Sequence, residues 1–255
     1  MQKPLILVSN DDGITAKGIR TLVHEMQQLG DVIVVAPDSP QSGMGHAITM
    51  DSPLRVAEVD LFGETKAYQV NGTPVDCVKI ALDKLVPRKP DLMVSGINHG
   101  SNASINVIYS GTMSAAVEAA IDDMPAIGFS LCDYAHDAVF DHARKYVTLL
   151  AKETLKNGLP KGVLLNVNIP KTGTEIKGIK VCRQANAHWD ESFLKREDPF
   201  RRTYYWMKGD FVNPDKGTDT DEWALSNGFV SVVPTQFDLT AHTAISIINT
   251  WTLEE

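Results

Sequence analysis

Two adjacent carboxylates, Asp11 and Asp12, stand where a short apolar run, Leu5-Ile6-Leu7-Val8, gives way to Ser9-Asn10 and is closed by Gly13. The run has the length and composition of a strand buried on both faces. Such a strand ends against core, and two charges placed there cost free energy unless something pairs with them. A divalent cation is the simplest partner. Asn, Asp and Gly are also ordinary turn formers, so the stretch by itself also reads as a plain polar turn.

Later polar interruptions add to the pair. The loop from Pro37 to His46 carries Ser42 and Gly43, and the apolar run Asp91–Ser95 leads into Gly96-Ile97-Asn98-His99-Gly100-Ser101-Asn102. Asp11, Asp12, Ser42 and Asn98 together offer carboxylate, hydroxyl and amide oxygen, without thiolate or imidazole. Such a hard donor set suits Mg²⁺, Mn²⁺ or Ca²⁺ rather than zinc. Ser110-Gly111-Thr112 precedes a helical pattern of Met113, Ala116, Val117, Ala120 and Ile121. It places hydroxyls and free backbone N–H groups at a helix N-terminus, where a phosphate is at home. Serine and threonine also cap helices for purely structural reasons. Asn10, Gly43, Ser110, Gly111 and Thr112 are the candidates for holding phosphate or substrate, and Asp11 and Asp12 for catalysis. A cation and a phosphate in one crevice point to phosphoester hydrolysis, the metal polarising a phosphoryl oxygen and acidifying a water. Carboxylates committed to a metal are poor nucleophiles, so direct attack by water is expected, with Asp12 orienting it.

The elements that must position these groups follow from periodicity. Ile19, Leu22, Val23, Met26 and Leu29 recur at helical spacing and Gly30 closes the helix; Asp31–Ala36 is a second buried strand. Strand, helix and strand with short joints make a right-handed βαβ unit. Further strands at 91–95, 125–130 and 162–168 alternate with helices, so the expected fold is α/β, Rossmann-like, with a mostly parallel sheet and flanking helices. In such sheets ligands bind beyond the carboxyl ends of the strands, where strand order reverses. The stretch 47–67 reads as a β excursion. Thr73-Pro74-Val75-Asp76 is a helix start in which Asp76 serves as a first-turn acid rather than a catalyst. Beyond Pro170, strand-like segments at 178–183, 203–207 and 229–233 suggest an antiparallel β extension, followed by a helix from about Thr240 to Trp251. The chain is thus one domain over 1–255, with a core over 1–175 and an extension over 176–255. Trp189, Tyr204, Tyr205 and Trp206 are too many aromatics for a solvated arm, so the extension is expected to pack on another subunit.

Composition narrows the function. At 255 residues with 43% hydrophobic and 22% charged residues the chain is an ordinary globular protein. A net charge of −8 argues against a nucleic-acid polymer as partner. Cys77, Cys132 and Cys182 show neither zinc spacing nor a disulfide framework. No run approaches a membrane span, and no secretory signal is evident, so a cytoplasmic location is the default. Neither G-x-G-x-x-G after the first strand nor G-x-x-x-x-G-K-[ST] is present, which excludes the common dinucleotide and P-loop readings.

Five blocks carry a resemblance: Ser9-Asn10-Asp11-Asp12-Gly13, Val35-Ala36-Pro37-Asp38, Gly72-Thr73-Pro74-Val75-Asp76-Cys77, Ser95-Gly96-Ile97-Asn98 and Tyr109-Ser110-Gly111-Thr112. In this order they resemble the SurE family of survival nucleotidases. Asn166-Val167-Asn168-Ile169-Pro170, Tyr204-Tyr205-Trp206, Gly228–Pro234 and Asp238-Leu239-Thr240 also fit. The resemblance implies a Rossmann-like metal-dependent phosphatase of nucleoside 5′- and 3′-monophosphates, some members also trimming short polyphosphate. It implies one divalent cation per subunit, Mg²⁺ or Mn²⁺, on Asp11, Asp12, Ser42 and Asn98. It also implies a homodimer or homotetramer built through an exchanged C-terminal extension. Two departures touch substrate range and phosphate-loop geometry: the run Gly100–Asn106 lacks the family's usual Gly-Pro-Asn, and Gln41 stands where an arginine is common.

Two other classes compete. A receiver-type signalling domain also binds Mg²⁺ on paired acids but needs a phospho-accepting Asp where this chain has Asn98. A haloacid-dehalogenase-type phosphatase needs an Asp-x-Asp spacing that Asp11-Asp12 does not supply. Of His46, His99 and His242, the last is a candidate accessory residue.

Overall fold

The computed structural model describes residues 3–135 and 137–253. Its strands are β1 (Leu5–Ser9), β2 (Asp31–Pro37), β3 (Val56–Glu58), β4 (Lys66–Val70), β5 (Leu92–His99), β6 (Ala126–Cys132), β7 (Val163–Pro170), β8 (Gly178–Val181), β9 (His188–Glu197), β10 (Thr203–Val212) and β11 (Phe229–Gln236). Nine of them form one sheet in the order β3-β4-β2-β1-β5-β6-β7-β11-β8. The strands from β4 to β7 in that order run parallel; β3 and β11 join antiparallel, and β8 pairs parallel with β11.

The apolar runs are continuous because both faces are covered. The helices are α1 (Lys17–Met26), α2 (Pro74–Ile80), α3 (Gly111–Ile121), α4 (Arg144–Asn157), α5 (Asp221–Ser226) and α6 (His242–Ile248). Ile6 and Val8 of β1 face a core shared with α1 and α4. Leu5 and Leu7 face the opposite core, built from α2 and α3.

Thr73 starts α2 as expected. Its hydroxyl accepts from the Asp76 amide at 3.1 Å, and Asp76 accepts from the Thr73 amide at 2.9 Å. Asp76 also accepts from the amide and hydroxyl of Thr49, at 3.0 and 2.6 Å, so the helix start fastens the preceding loop.

Several expectations shift. β5 runs on through Asn98 to His99, past a register shift between Ser95 and Asn98, because Gly96 breaks the alternation. A Cβ on Gly96 would lie 2.3 Å from the Phe129 carbonyl oxygen and its φ is +124°, so only glycine fits there. The boundary drawn near 175 does not divide the sheet, since β8 and β11 continue it and Val230 and Val232 enter the core shared with α1 and α4. Only β9 and β10 stand apart, as a two-stranded antiparallel hairpin. Sequence reading placed no strand at β9, whose Asp190, Glu191, Lys195, Arg196 and Glu197 hide any alternation. The terminal helix is shorter than expected, and none of α6 is buried.

Asp76→Ala should destabilise the protein by about 2 kcal/mol, loosening a capping box and two further bonds at once. Burial acts to raise the Asp76 carboxyl pKa, but its bonds from Thr49 and Thr73 outweigh this and hold it low. The stabilisation is therefore full above the ordinary carboxylate range and lost as the pH falls below about 4. Urea denaturation of both proteins at pH 7 and pH 3 measures it.

Candidate active site

Strand order reverses between β1 and β5: β2 and β4 extend to one side, β6 and β7 to the other. The crevice beyond the carboxyl ends at this point is where ligands bind in such sheets. Asp11 leaves β1 here and is 4% exposed. Thr112, in the first turn of α3, donates its hydroxyl to Asp11 Oδ1 at 2.5 Å. The helix comes this close because Gly111 has no side chain; a Cβ there would lie 2.7 Å from Asp11 Cβ. The Asp11 carbonyl accepts from the Gln41 amide at 2.7 Å, which binds the Ser42 loop to the end of β1. Asp12 accepts at Oδ2 from the His99 amide at 3.1 Å.

Asp11, Ser42, Gly43, Asn98 and Ser110 line one cleft of about 200 Å³. Asp12 opens instead on an adjoining cavity of about 370 Å³, beside Lys17, Pro40 and Phe140. His99 walls both. The other expected residues lie behind this surface. Thr112 is fully buried on Asp11, so within the Ser-Gly-Thr trio Ser110 is the residue that faces the cleft. Ser110 Oγ accepts from the Met113 amide at 3.0 Å and caps α3, leaving its own O–H to donate. Asn10 turns inward, donating to the Gly13 carbonyl at 2.9 Å. His242 pairs with Asp238 at 3.1 Å on the exposed α6 and lines neither cavity.

The electrostatics are unfavourable as they stand. Burial, then the neighbouring Asp12 charge, push the Asp11 carboxyl up to about 6. Burial also raises Asp12, against a lowering by the His99 amide. No basic side chain pairs with either carboxylate, and no three His, Cys, Asp or Glu cluster as a metal site, among the described residues. A hard cation fits this donor set: two carboxylates complemented by neutral oxygens. Asn98 donates its amide nitrogen to the Gly100 carbonyl at 2.8 Å, which leaves Oδ1 as the atom available to a ligand.

Sequence reasoning missed the buried amides that support the cleft. Asn102 accepts from Asn166 at its carbonyl, donates its own amide to Asn168 Oδ1, and donates its side chain to Ser130, all within 2.9 Å. The signal was visible in Leu164-Leu165-Asn166-Val167-Asn168, where two amides interrupt a buried strand and must find partners. Asn106 and Tyr134 also line the cleft, and Trp189 at the base of the β9–β10 hairpin donates to Asn106 Oδ1 at 2.8 Å.

The model of the family described as Survival protein SurE matches residues 6–191. The chain belongs to this family. It is 65% identical over 257 residues to the 5′-nucleotidase SurE of Christiangramia forsetii, covering 100% of this chain and 99% of that one. It is 59% identical to the protein of the same name from Flavobacterium psychrophilum, over the full length of both. Among solved structures, the SurE protein from Aquifex aeolicus superposes with a TM-score of 0.83 at 38% identity, covering 96% of this chain and 98% of that one. The family blocks Ser9–Gly13, Ser95–Asn98 and Tyr109–Thr112 are the segments that meet at the cleft.

A raised carboxylate pKa means the charged form is less stable folded than unfolded, so its penalty grows as the pH rises from about 4 to about 6. Metal-free Asp11→Asn should therefore be more stable than metal-free wild type by about 3 kcal/mol at pH 7, and the advantage should vanish near pH 4. Thermal denaturation in excess EDTA at both pH values measures the difference.

Proposed function

We propose that this chain is a metal-dependent 5′-nucleotidase, hydrolysing nucleoside 5′-monophosphates to nucleoside and phosphate. The observation that carries it is the buried Asp11, pressed against the N-terminus of α3 beside the half-buried Asp12, the two carboxylates without a basic partner at the reversal of strand order. The names of its near full-length relatives support the same reading. Nucleoside 3′-monophosphates and short polyphosphates are further substrates within the proposal.

Asp11, Asp12, Ser42 and Asn98 would hold one Mg²⁺ or Mn²⁺, which when bound supplies positive charge to the phosphoryl oxygens and lowers the pKa of a water. Every other role falls to the chain. Ser110 donates its free O–H to a phosphoryl oxygen. The first-turn amides of α3 and the helix dipole favour negative charge developing there. Asp12, fixed by the His99 amide, orients the attacking water. The water oxygen bonds to phosphorus as the bond to the ribose oxygen breaks, and that oxygen leaves with a proton as the nucleoside hydroxyl. No covalent phosphoenzyme is formed.

Phosphate release from 5′-AMP should stop in excess EDTA and return with Mn²⁺. Asp11→Asn should lower kcat/KM by at least ~100-fold in a folded protein. A chiral phosphate ester should be hydrolysed with inversion at phosphorus. EDTA-resistant turnover would remove the metal from the reading, and retention would move the first attack to Ser110.

The assembly belongs to the same proposal. Phe193, Tyr205 and Trp206 of the hairpin and Ile247 and Trp251 near the C-terminus are each at least 60% exposed, too much apolar surface for water. We read them as covered in a homodimer or homotetramer. Light scattering at micromolar concentration should give a multiple of 27.9 kDa, and a strictly monomeric mass would end the idea. No helix is long and apolar enough to cross a membrane among the described residues. The free thiols of Cys77, Cys132 and Cys182 support a reducing, cytoplasmic setting.

A further inference from the structure

The loop over residues 38–49 carries Ser42 and Gly43 into the cleft without regular secondary structure of its own. Between Gln41, bonded to the Asp11 carbonyl, and Gly45, whose amide donates to the Tyr109 carbonyl at 3.2 Å, the segment stands free; Met44 is 46% exposed and a Cβ on Gly43 would touch nothing. Past that segment the loop is gripped by a side chain. His46 Nε2 donates to Glu118 Oε2 at 2.9 Å, and the Glu118 residue is 3% exposed. Its other oxygen accepts from Lys79 of α2. Next along the chain, Ala47 accepts at its carbonyl from the Thr73 hydroxyl at 2.7 Å.

Glu118 lies on α3, the helix whose Thr112 holds Asp11. One rigid helix therefore touches both sides of the cleft, Asp11 through Thr112 and the Ser42 loop through Glu118. Lys79 has a separate consequence. Removing the His46 ring leaves Glu118 still neutralised, so the core keeps a paired charge and the loss falls on the loop. We propose that His46 is a positioning residue, which through Glu118 fixes the Ser42–Gly43 segment relative to Asp11. This rests on the reading of Asp11, Ser42 and Asn98 as ligands of a divalent cation.

The test compares wild type, His46→Ala and His46→Gln, with Mn²⁺ as the probe. Free Mn²⁺ is read by electron paramagnetic resonance during titration of the metal-free proteins, and folding by circular dichroism. Partners that orient a ligand commonly contribute 10–100-fold to metal affinity. His46→Ala should bind Mn²⁺ about 10-fold more weakly at an unchanged fold. His46→Gln, whose amide can still donate to Glu118, should recover most of the affinity even if the alanine variant folds poorly. Wild-type affinity in His46→Ala, or no recovery in a folded His46→Gln, would overturn the positioning role alone. Wild type that binds no Mn²⁺ would overturn the metal reading and the positioning role together.

Discussion

A carboxylate held 4% exposed at the end of a buried strand, with a second beside it, is the constraint on which the rest of the site turns. Removing an unpaired carboxylate from water is costly. The protein lessens that cost with hydrogen bonds rather than with a cation of its own. Thr112 donates to Asp11 and the His99 amide donates to Asp12, but burial still dominates the balance at both. A basic side chain placed beside them would have relieved the repulsion and closed the site to a divalent ion. Leaving them without a basic partner costs stability and keeps their oxygens free of a competing side-chain cation.

The polar ends of β1 and β5 were legible in the sequence because each interrupts an apolar run, and a polar break in a buried strand has few innocent explanations. Asp11, Ser42, Asn98 and Ser110 do meet in one cleft. Asp12 lines the adjoining cavity instead, with His99 walling both, a placement that spacing alone leaves open once the chain has left the strand and entered a bend. Thr112 was legible as a residue of the site but not as a support for Asp11. Its partner is 101 positions away in the chain, and periodicity carries no information on such pairs. The same holds for Asn102 and its bonds to β6 and β7.

The fold divides likewise. Apolar runs covered on both faces announce themselves, which is why the parallel strands could be placed. The hairpin strand β9 could not, since most of its residues are exposed and its form is set by pairing with β10 from Thr203↔Glu197 to Val212↔His188. Pairing with β10 still leaves Phe193, Tyr205 and Trp206 exposed, so strand pairing alone does not bury the hairpin's aromatics.

Helix α3 departs most from its expected form, and the departure explains the site. An amphipathic pattern suggested a helix with one face in the core, yet Gly111 to Ala116 are all buried, as are Glu118, Ala119 and Ala120. Small residues let it lie close to the sheet: a Cβ on Gly128 of β6 would fall 2.3 Å from Met113 Sδ, so the Met113 side chain packs directly on the backbone of the strand. That closeness lets Thr112 reach Asp11. Larger residues on α3 would bury more apolar area at about 25 cal/mol per Å² but would lift the helix away from the strand ends. Packing density has been exchanged for reach, and the helix that results holds the cleft by its N-terminus and by Glu118, two turns further on.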